Sequence, residues 1–336
     1  MKKTPQSLIE SANSIVIIQA DNPDGDSLAS SLALEAVFIE MGKKPVMYCG
    51  VDIPSYLRFM KGWDRVVKSL PHEFDLSIIV DTGSILLLEN LQKTGDIKWL
   101  KSKPCIIIDH HITEPTIDFA TTSIIKEAVS TGELIYGLCK QNKWPLPLDA
   151  KEYIVNSILS DSLGLISEST TPTSVRIIAD LIEGGVSLAE LDSKRKVFQK
   201  KQPELLSYKG DLLKRVEYLL EGQVAYISIP WAEIEKYSPL YNPSMLVIDE
   251  MRQVEKVKVA VAFKHYPDGR ITAKLRSNYG YPLCDAVAEQ FGGGGHPYAS
   301  GFRVTDGSEF KDILSKCANH IEDELNKLKA TNDADI

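Results

Sequence analysis

Histidine, paired cysteine, positive charge and long apolar runs are all scarce in this sequence. The five cysteines, Cys49, Cys105, Cys139, Cys284 and Cys317, are odd in number and none is spaced as C-x-x-C. They read as buried apolar thiols in a reducing compartment. No run approaches the ~20 apolar residues of a spanning helix. The early run SIVIIQA (14–20) is too short for a signal-peptide core and leads into acid instead of small residues. Lys and Arg number 38 against 46 Asp and Glu, a formal charge of −8. That balance argues against tight non-specific duplex binding, which comes mainly from Lys and Arg meeting phosphates. A small or short anionic substrate stays open, given local metals or basic residues. There are no internal repeats and no low-complexity segment beyond one glycine run. These absences lead us to expect a cytoplasmic protein with neither membrane nor duplex DNA among its partners.

What is present is globular material: 336 residues, 43% hydrophobic and 25% charged. That length suits two domains of ~100–200 residues with a real core. SIVIIQA, PVMYCG (45–50), LSIIVD (76–81) and PCIIID (104–109) read as buried strands. SLASSLALEAVFIEMG (27–42) has helical spacing and stops at Gly42. Ser130 with Glu133, and Asp149 with Glu152, have capping-box spacing at the starts of two further helices. Pro172 opens another, closed by Gly184 and Gly185. The pattern predicts an α/β protein: an N-terminal, mostly parallel sheet flanked by helices over 1–192, a charged helical linker over 193–221 broken at Pro203, and a smaller C-terminal α/β domain over 222–330 with a frayed tail, 331–336. In the latter, VAYISIP (224–230) reads as a strand, and a Pro-Asp-Gly turn at 267–269 marks a hairpin. A short helix, the glycines, a strand and a last helix over about 308–328 follow.

Open α/β sheets bind ligands beyond the carboxyl ends of their strands. Asp21, Asp24, Asp26, Asp81 and Asp109 all fall at or just past such ends. Of only six histidines, His110 and His111 are adjacent at one of them. A single aspartate after a strand reads as a cap or turn residue. Asp24, Asp26, Asp81, Asp109, His110, His111 and Asp161 together read differently. Carboxylates gathered at one edge repel unless a cation joins them or their pKa values rise. Oxygen-rich sites with an imidazole suit Mn, Mg or Fe better than a structural zinc, which favours sulfur and nitrogen. Two divalent ions ~3.5–4 Å apart, bridged by one carboxylate, would clamp a phosphate ester. In the second half, consecutive glycines before His296 let N–H groups approach an anion, although a glycine run alone reads as a flexible loop. Arg276 suits bidentate phosphate binding, against the plainer reading of a solvated strand arginine.

IDHHIT (108–113) resembles the signature of the DHH phosphoesterases. NPDGDSLASSLAL (22–34), VDTGS (80–84) and SDSLGLISEST (160–170) are similar to their first, second and fourth motifs, and KLRSN (274–278) with GGGGHPYASG (292–301) to the DHHA1 domain. The likeness runs in order over nearly the whole chain and is nearest to the nanoRNase and pAp-phosphatase branch. It implies an active site in the cleft between the two domains. It implies that Asp81 bridges two Mn2+ ions, or serves one, with Mg2+ the poorer candidate. Asp26, His110 and Asp161 would complete one site, and Asp24 would serve the other with a first-motif histidine. His111 would meet the scissile phosphate as an acid, and Asp109 would orient the histidines. Arg276, Ser277 and Asn278, with Gly293, Gly294, Gly295 and His296, would hold a substrate phosphate or terminal nucleotide. The implied substrate is short single-stranded RNA or a dinucleotide such as pApA, with pAp as a phosphatase substrate, and a homodimer is compatible.

One position departs from the pattern. The first-motif histidine falls on Ala20, whose methyl group cannot bind metal. Asp21 or Asn22 beside the gap could supply an oxygen instead. Three readings follow: a full enzyme, one with a weak or single-metal site, and a nucleotide-binding protein that has lost hydrolysis. A RecJ-like exonuclease is a further alternative that the acidic charge disfavours.

Overall fold

Short β-branched runs form the strands of the first sheet. In the computed structural model, which describes residues 4–198 and 200–334, the chain divides into two compact units, Met1–Lys200 and Lys201–Ile336. The first holds β1 (Ser14–Ile18), β2 (Lys44–Tyr48), β3 (Leu76–Val80), β4 (Cys105–Asp109) and β5 (Thr122–Ile125) in the order β2-β1-β3-β4-β5. Every pair is parallel. Ile15 and Ile17 of β1 enter one apolar cluster, Val16 and Ile18 another. The sheet is therefore buried on both faces, as parallel sheets require. β5 is an edge strand of four half-buried or exposed residues, too short and too mixed to read from sequence.

Helix Gly25–Glu40 begins two residues before the sequence spacing suggests. Asp24 is its N-cap: the carboxylate accepts from Ser27 N–H at 3.0 Å, and Ser27 Oγ accepts from Asp24 N–H at 2.9 Å. Ser130 caps helix Thr131–Asn142, but the Glu133 carboxylate reaches back to Val129 N–H instead of completing a box. The Asp149–Glu152 box is not formed. Pro147, extended at φ −63° and ψ 162°, starts the helix at Leu148 and leaves Asp149 inside the first turn, so helix Leu148–Asp161 has no side-chain cap. Asp149 there faces the positive end of the helix dipole.

The second unit carries β6 (Glu217–Leu219), β7 (Val224–Ile229), β8 (Val259–His265), β9 (Ile271–Ser277), β10 (Gly294–His296) and β11 (Ala299–Val304), ordered β10-β11-β9-β8-β7-β6. Only β7 and β8 pair in parallel. Where a helical linker is expected, helices Leu188–Phe198 and Pro203–Leu213 are followed by β6, which pairs with β7. The glycine run is part of a hairpin, not a free loop. A Cβ at Gly293 would lie 2.3 Å from the Gly301 carbonyl, and Gly295, at φ +145°, would meet the Ala299 carbonyl at 2.7 Å. The last helix is Phe310–Ala334. All five cysteines are free and buried, and no described helix is long and apolar enough to cross a membrane.

Helix Gly25–Glu40 crosses helix Leu148–Asp161 closely at Gly25, where a Cβ would lie 2.0 Å from Ser160 Oγ and 2.8 Å from Ser160 Cβ. Gly25→Ala should cost about 1–3 kcal/mol by overpacking. Thermal denaturation checks this, and the double variant Gly25→Ala/Ser160→Gly should recover most of the loss.

Candidate metal centre

The C-terminal ends of β3 and β4 lie beside each other, and each is followed by an acidic or imidazole side chain. Asp81, one residue past β3, has a left-handed backbone (φ 61°), uncommon for a residue with a side chain. Its carboxylate accepts from Thr131 Oγ1 at 3.2 Å. Asp26 enters from the first turn of helix Gly25–Glu40 and is fully buried. Asp161 is the last residue of its helix. His110, one past β4, stands among them: Nε2 is 3.3 Å from Asp161 Oδ2, 3.5 Å from Asp81 Oδ1 and 3.8 Å from Asp26 Oδ2.

The other ring nitrogen decides what Nε2 offers. His110 Nδ1 is 3.1 Å from the Ala128 carbonyl, which can only accept, so Nδ1 carries a hydrogen. Nε2 is buried and has no hydrogen-bond partner. In the neutral ring it is a lone pair facing three carboxylates, an arrangement that calls for positive charge. Ligand atoms of Asp26, His110 and Asp161 lie within 4.8 Å of one another, as do those of Asp81, His110 and His111. Oxygen and imidazole without sulfur suit Mn2+, Mg2+ or Fe2+, so these residues fit a divalent ion.

The charge balance points the same way. Burial, with the charges of Asp26, Asp24 and Asp161, raises the Asp81 carboxyl well above its usual range. Burial is also the main reason the Asp161 carboxyl rises to about 6. For His110 burial works the other way, but Asp161 and Asp26 still push the imidazole up to about 9. Either a proton on Nε2 or a cation can supply the missing charge.

Asp109 is buried and accepts from His111 twice, from Nδ1 at 2.7 Å and from the backbone N–H at 3.0 Å. This bond fixes the ring, raises the His111 pKa and leaves Nε2 as the free nitrogen of a half-exposed side chain. Asp24 joins neither cluster among the described residues, although its charge is felt by Asp81 and Asp161. Ala20 is buried, its carbonyl accepting from the Cys49 thiol at 3.3 Å. Asp21 does not fill the gap: its carboxylate accepts from Asn90 N–H at 2.7 Å and abuts Gly50. Asn22 is exposed.

Sequence reasoning missed the residues that hold Asp26. Ser30 Oγ and Ser157 Oγ donate to Oδ1 at 2.9 and 2.6 Å, and Thr131 N–H donates to Oδ2 at 2.7 Å. Helical i, i+4 spacing carried a signal for Ser30 alone, which follows Asp26 by four residues.

In the second unit Arg276 is half-buried on β9, with Nη1 donating to the Leu275 carbonyl. Ser277 is buried on the opposite face of the strand, beside Cys284. The Asn278 amide donates to the Arg252 and Val257 carbonyls, at 2.9 Å each, and is occupied there. The three residues thus present no common surface. His296 is exposed in β10, and its Nδ1 accepts from Tyr298 N–H.

Residues 14–161 match the DHH family, N-terminal domain, and residues 242–323 match the DHHA1 domain. The chain belongs to the DHH/DHHA1 family. This DHH/DHHA1 chain is 26% identical over 319 residues to the probable bifunctional oligoribonuclease and PAP phosphatase NrnA of Streptococcus mutans, covering 94% of this chain and 98% of that protein. It is 25% identical over 308 residues to the bifunctional oligoribonuclease and PAP phosphatase NrnA of Bacillus subtilis, covering 90% and 93%. The fold of the DHH/DHHA1 chain matches the crystal structure of an exopolyphosphatase-related protein from Bacteroides fragilis, with a TM-score of 0.82, 22% identity and 96% of both chains covered.

A raised pKa gives stability that is complete below the unfolded value and lost as pH climbs through the folded one. For Asp161 that loss spans 3.8 to about 6, and for His110 6.5 to about 9. The melting temperature of the metal-stripped protein should therefore fall between about pH 4 and 9. Saturating Mn2+ should flatten or reverse that slope. Calorimetric melting across this range, with and without metal, checks both.

Proposed function

We propose that this chain is a divalent-metal-dependent phosphoesterase, using Mn2+, that hydrolyses short RNA or linear dinucleotides such as pApA to mononucleotides and removes the 3′-phosphate of pAp. The observation that carries the reading is the buried, unpartnered His110 Nε2 facing Asp26, Asp81 and Asp161. The near full-length similarity to proteins named oligoribonuclease and PAP phosphatase directs it to these substrates.

On this reading Asp26, Asp81, His110 and Asp161 would hold one divalent ion, and Asp24, with a share of Asp81, would serve a second. Such ions, when bound, would supply charge neutralisation at the phosphoryl oxygens and a more nucleophilic water. Ser30, Ser157 and the Thr131 N–H keep Asp26 in place. Asp109 holds the His111 Nδ1–H, so that Nε2 can carry a proton to the leaving oxygen. The Asp109 hydrogen bond raises the His111 pKa, which shifts the ring towards the imidazolium form that a general acid requires. The balanced reaction is addition of water across the P–O bond: the water oxygen joins phosphorus, and the leaving oxygen takes the proton.

A second reading has its own observation. Ala20 offers no ligand, and Asp24 lies outside both ligand clusters among the described residues. The second position would then fill weakly, giving a single-ion enzyme or, at the limit, a nucleotide binder.

Pure protein with Mn2+ should release mononucleotide from pApA and from five-nucleotide RNA, and phosphate from pAp, as followed by chromatography. Asp81→Asn should abolish all three. His111→Asn should lower kcat by about 10²–10⁴-fold with a smaller change in KM. Binding of pApA and pAp without turnover in the wild type would favour the binder and overturn the enzyme reading.

A further inference from the structure

The last turns of helix Leu148–Asp161 serve two places. Ser157 and Asp161, four residues apart, belong to the metal centre. Asn156 and Ser160, also four apart, share an adjoining face, and that face lines a cavity of about 600 Å3 within the first unit. Asp24 and Gly25 are in its wall as well, so the cavity begins where the metal centre ends: Asp26 follows Gly25, and Asp161 follows Ser160. The rest of the wall is mostly apolar. Tyr56 and Phe59 come from the segment after β2, Leu163 from the turn after Asp161 and Leu191 from helix Leu188–Phe198. The volume falls within the range of about 300–1,000 Å3 that small-molecule sites occupy.

The apolar walls are left incomplete. Tyr56 is 55% exposed and Leu163 70%, two large side chains given to water at one cavity. Leu163 is held in a left-handed backbone (φ 52°), uncommon for a residue with a bulky side chain, and Ser162 Oγ pins the turn by accepting from Leu165 N–H at 2.9 Å. Backbone outliers of this kind gather at ligand sites. The polar groups are specific. Asn156 Nδ2 donates to the Glu152 carbonyl at 3.0 Å. A carbonyl only accepts, so this bond fixes the amide and leaves Oδ1 as an acceptor. Neither Asn156 Oδ1 nor Ser160 Oγ has a hydrogen-bond partner among the described residues. The cavity therefore offers an acceptor and, four residues on, a hydroxyl free to donate, between apolar walls.

We propose that this cavity is a nucleobase pocket that selects adenine: Tyr56 and Leu163 cover the ring, Asn156 Oδ1 accepts from the exocyclic amine, and Ser160 Oγ donates to the ring nitrogen beside it. The inference rests on the phosphoesterase reading, which puts the phosphate of the same nucleotide at the metal centre. Adenine carries an amine donor next to a ring-nitrogen acceptor. Uracil carries a carbonyl where adenine has the amine, and would set two acceptors against each other at Asn156. A site built to hydrogen-bond one group rejects the analogue that lacks it, because its own polar atom is left unpaired. Cytosine shares the donor–acceptor pair but has a single ring and fills less of the cavity. Stacking on an aromatic ring tolerates any base, so Tyr56 contributes affinity and Asn156 contributes choice.

Calorimetric titration of the full-length protein with AMP and with UMP, in the presence of Mn2+, reads the pocket without turnover. The wild type should bind AMP about 5- to 150-fold more tightly than UMP, the discrimination that one well-placed base contact supplies. Asn156→Ala should bring the two affinities together. Tyr56→Ala should weaken both and keep their ratio, and Tyr56→Phe, which keeps the ring, should restore most of the affinity. A ratio of affinities is insensitive to a fraction of unfolded protein, so a loss of stability in a variant does not mimic the effect. Equal affinity for AMP and UMP in the wild type overturns the pocket. An AMP preference that survives Asn156→Ala overturns it too, as does a wild type that binds neither nucleotide. The two readings fail separately. Hydrolysis of pApA and pUpU at equal kcat/KM, lost in Asp81→Asn, upholds the phosphoesterase and overturns the pocket. An AMP preference that depends on Asn156, in a protein that turns over neither dinucleotide, upholds the pocket while the phosphoesterase reading fails.

Discussion

A carboxylate with no exposed surface organises the first unit. Asp26 is fully buried, and a buried charge persists only when hydrogen bonds and counter-charge compensate it. Its donors come from three helices: Ser30 from its own, Thr131 from helix Thr131–Asn142 and Ser157 from the helix that ends at Asp161. Packing those helices and assembling the centre are therefore one event. Glycine permits it at two points, since a Cβ at Gly25 would strike Ser160 and one at Gly132 would lie 2.1 Å from Ser157 Oγ. Three hydrogen bonds satisfy Asp26 but leave Asp81 and Asp161 without matching charge, and His110 is placed to face that deficit.

The centre consequently has two balanced states. In one, a proton on His110 offsets the carboxylates. In the other, on the proposed reading, a divalent ion would replace the proton and use the Nε2 lone pair that the Ala128 carbonyl leaves free by holding Nδ1–H. Metal binding then releases protons and becomes pH-dependent. His111 is separated from this exchange by Asp109, which occupies its Nδ1. Two adjacent histidines thus acquire different roles from different partners: a carbonyl directs one inward, and a carboxylate directs the other towards solvent.

The parallel sheet and the acids at its edge were legible because both are local signals: an apolar run, then a polar residue where the strand stops. The supports of Asp26 were not, because Thr131 and Ser157 lie 105 and 131 residues away in the chain, and a contact of that span leaves no mark in either segment alone. Capping spacing misled at Asp149, where Pro147 fixes the helix start two residues too early for the box. A run of neighbours misled at 276–278. Strand alternation sends Arg276 and Ser277 to opposite faces, whereas the period-two partner of Arg276, Lys274, shares its side. Gly293 and Gly295 read as freedom to approach a ligand, yet the hairpin's own backbone already requires their lack of a side chain.

Ala20 makes the centre asymmetric. Asp24 joins no imidazole in a ligand cluster among the described residues, and Asp21, next in sequence to Ala20, accepts from Asn90 N–H. Asp24 itself has one oxygen engaged in capping its helix. Ligand capacity is concentrated around His110, so on the proposed reading one ion is held firmly and the other weakly. A single ion neutralises less of a phosphate's charge than a pair does, so on that reading the rate would rest more on the proton carried by His111 and less on charge neutralisation by metal.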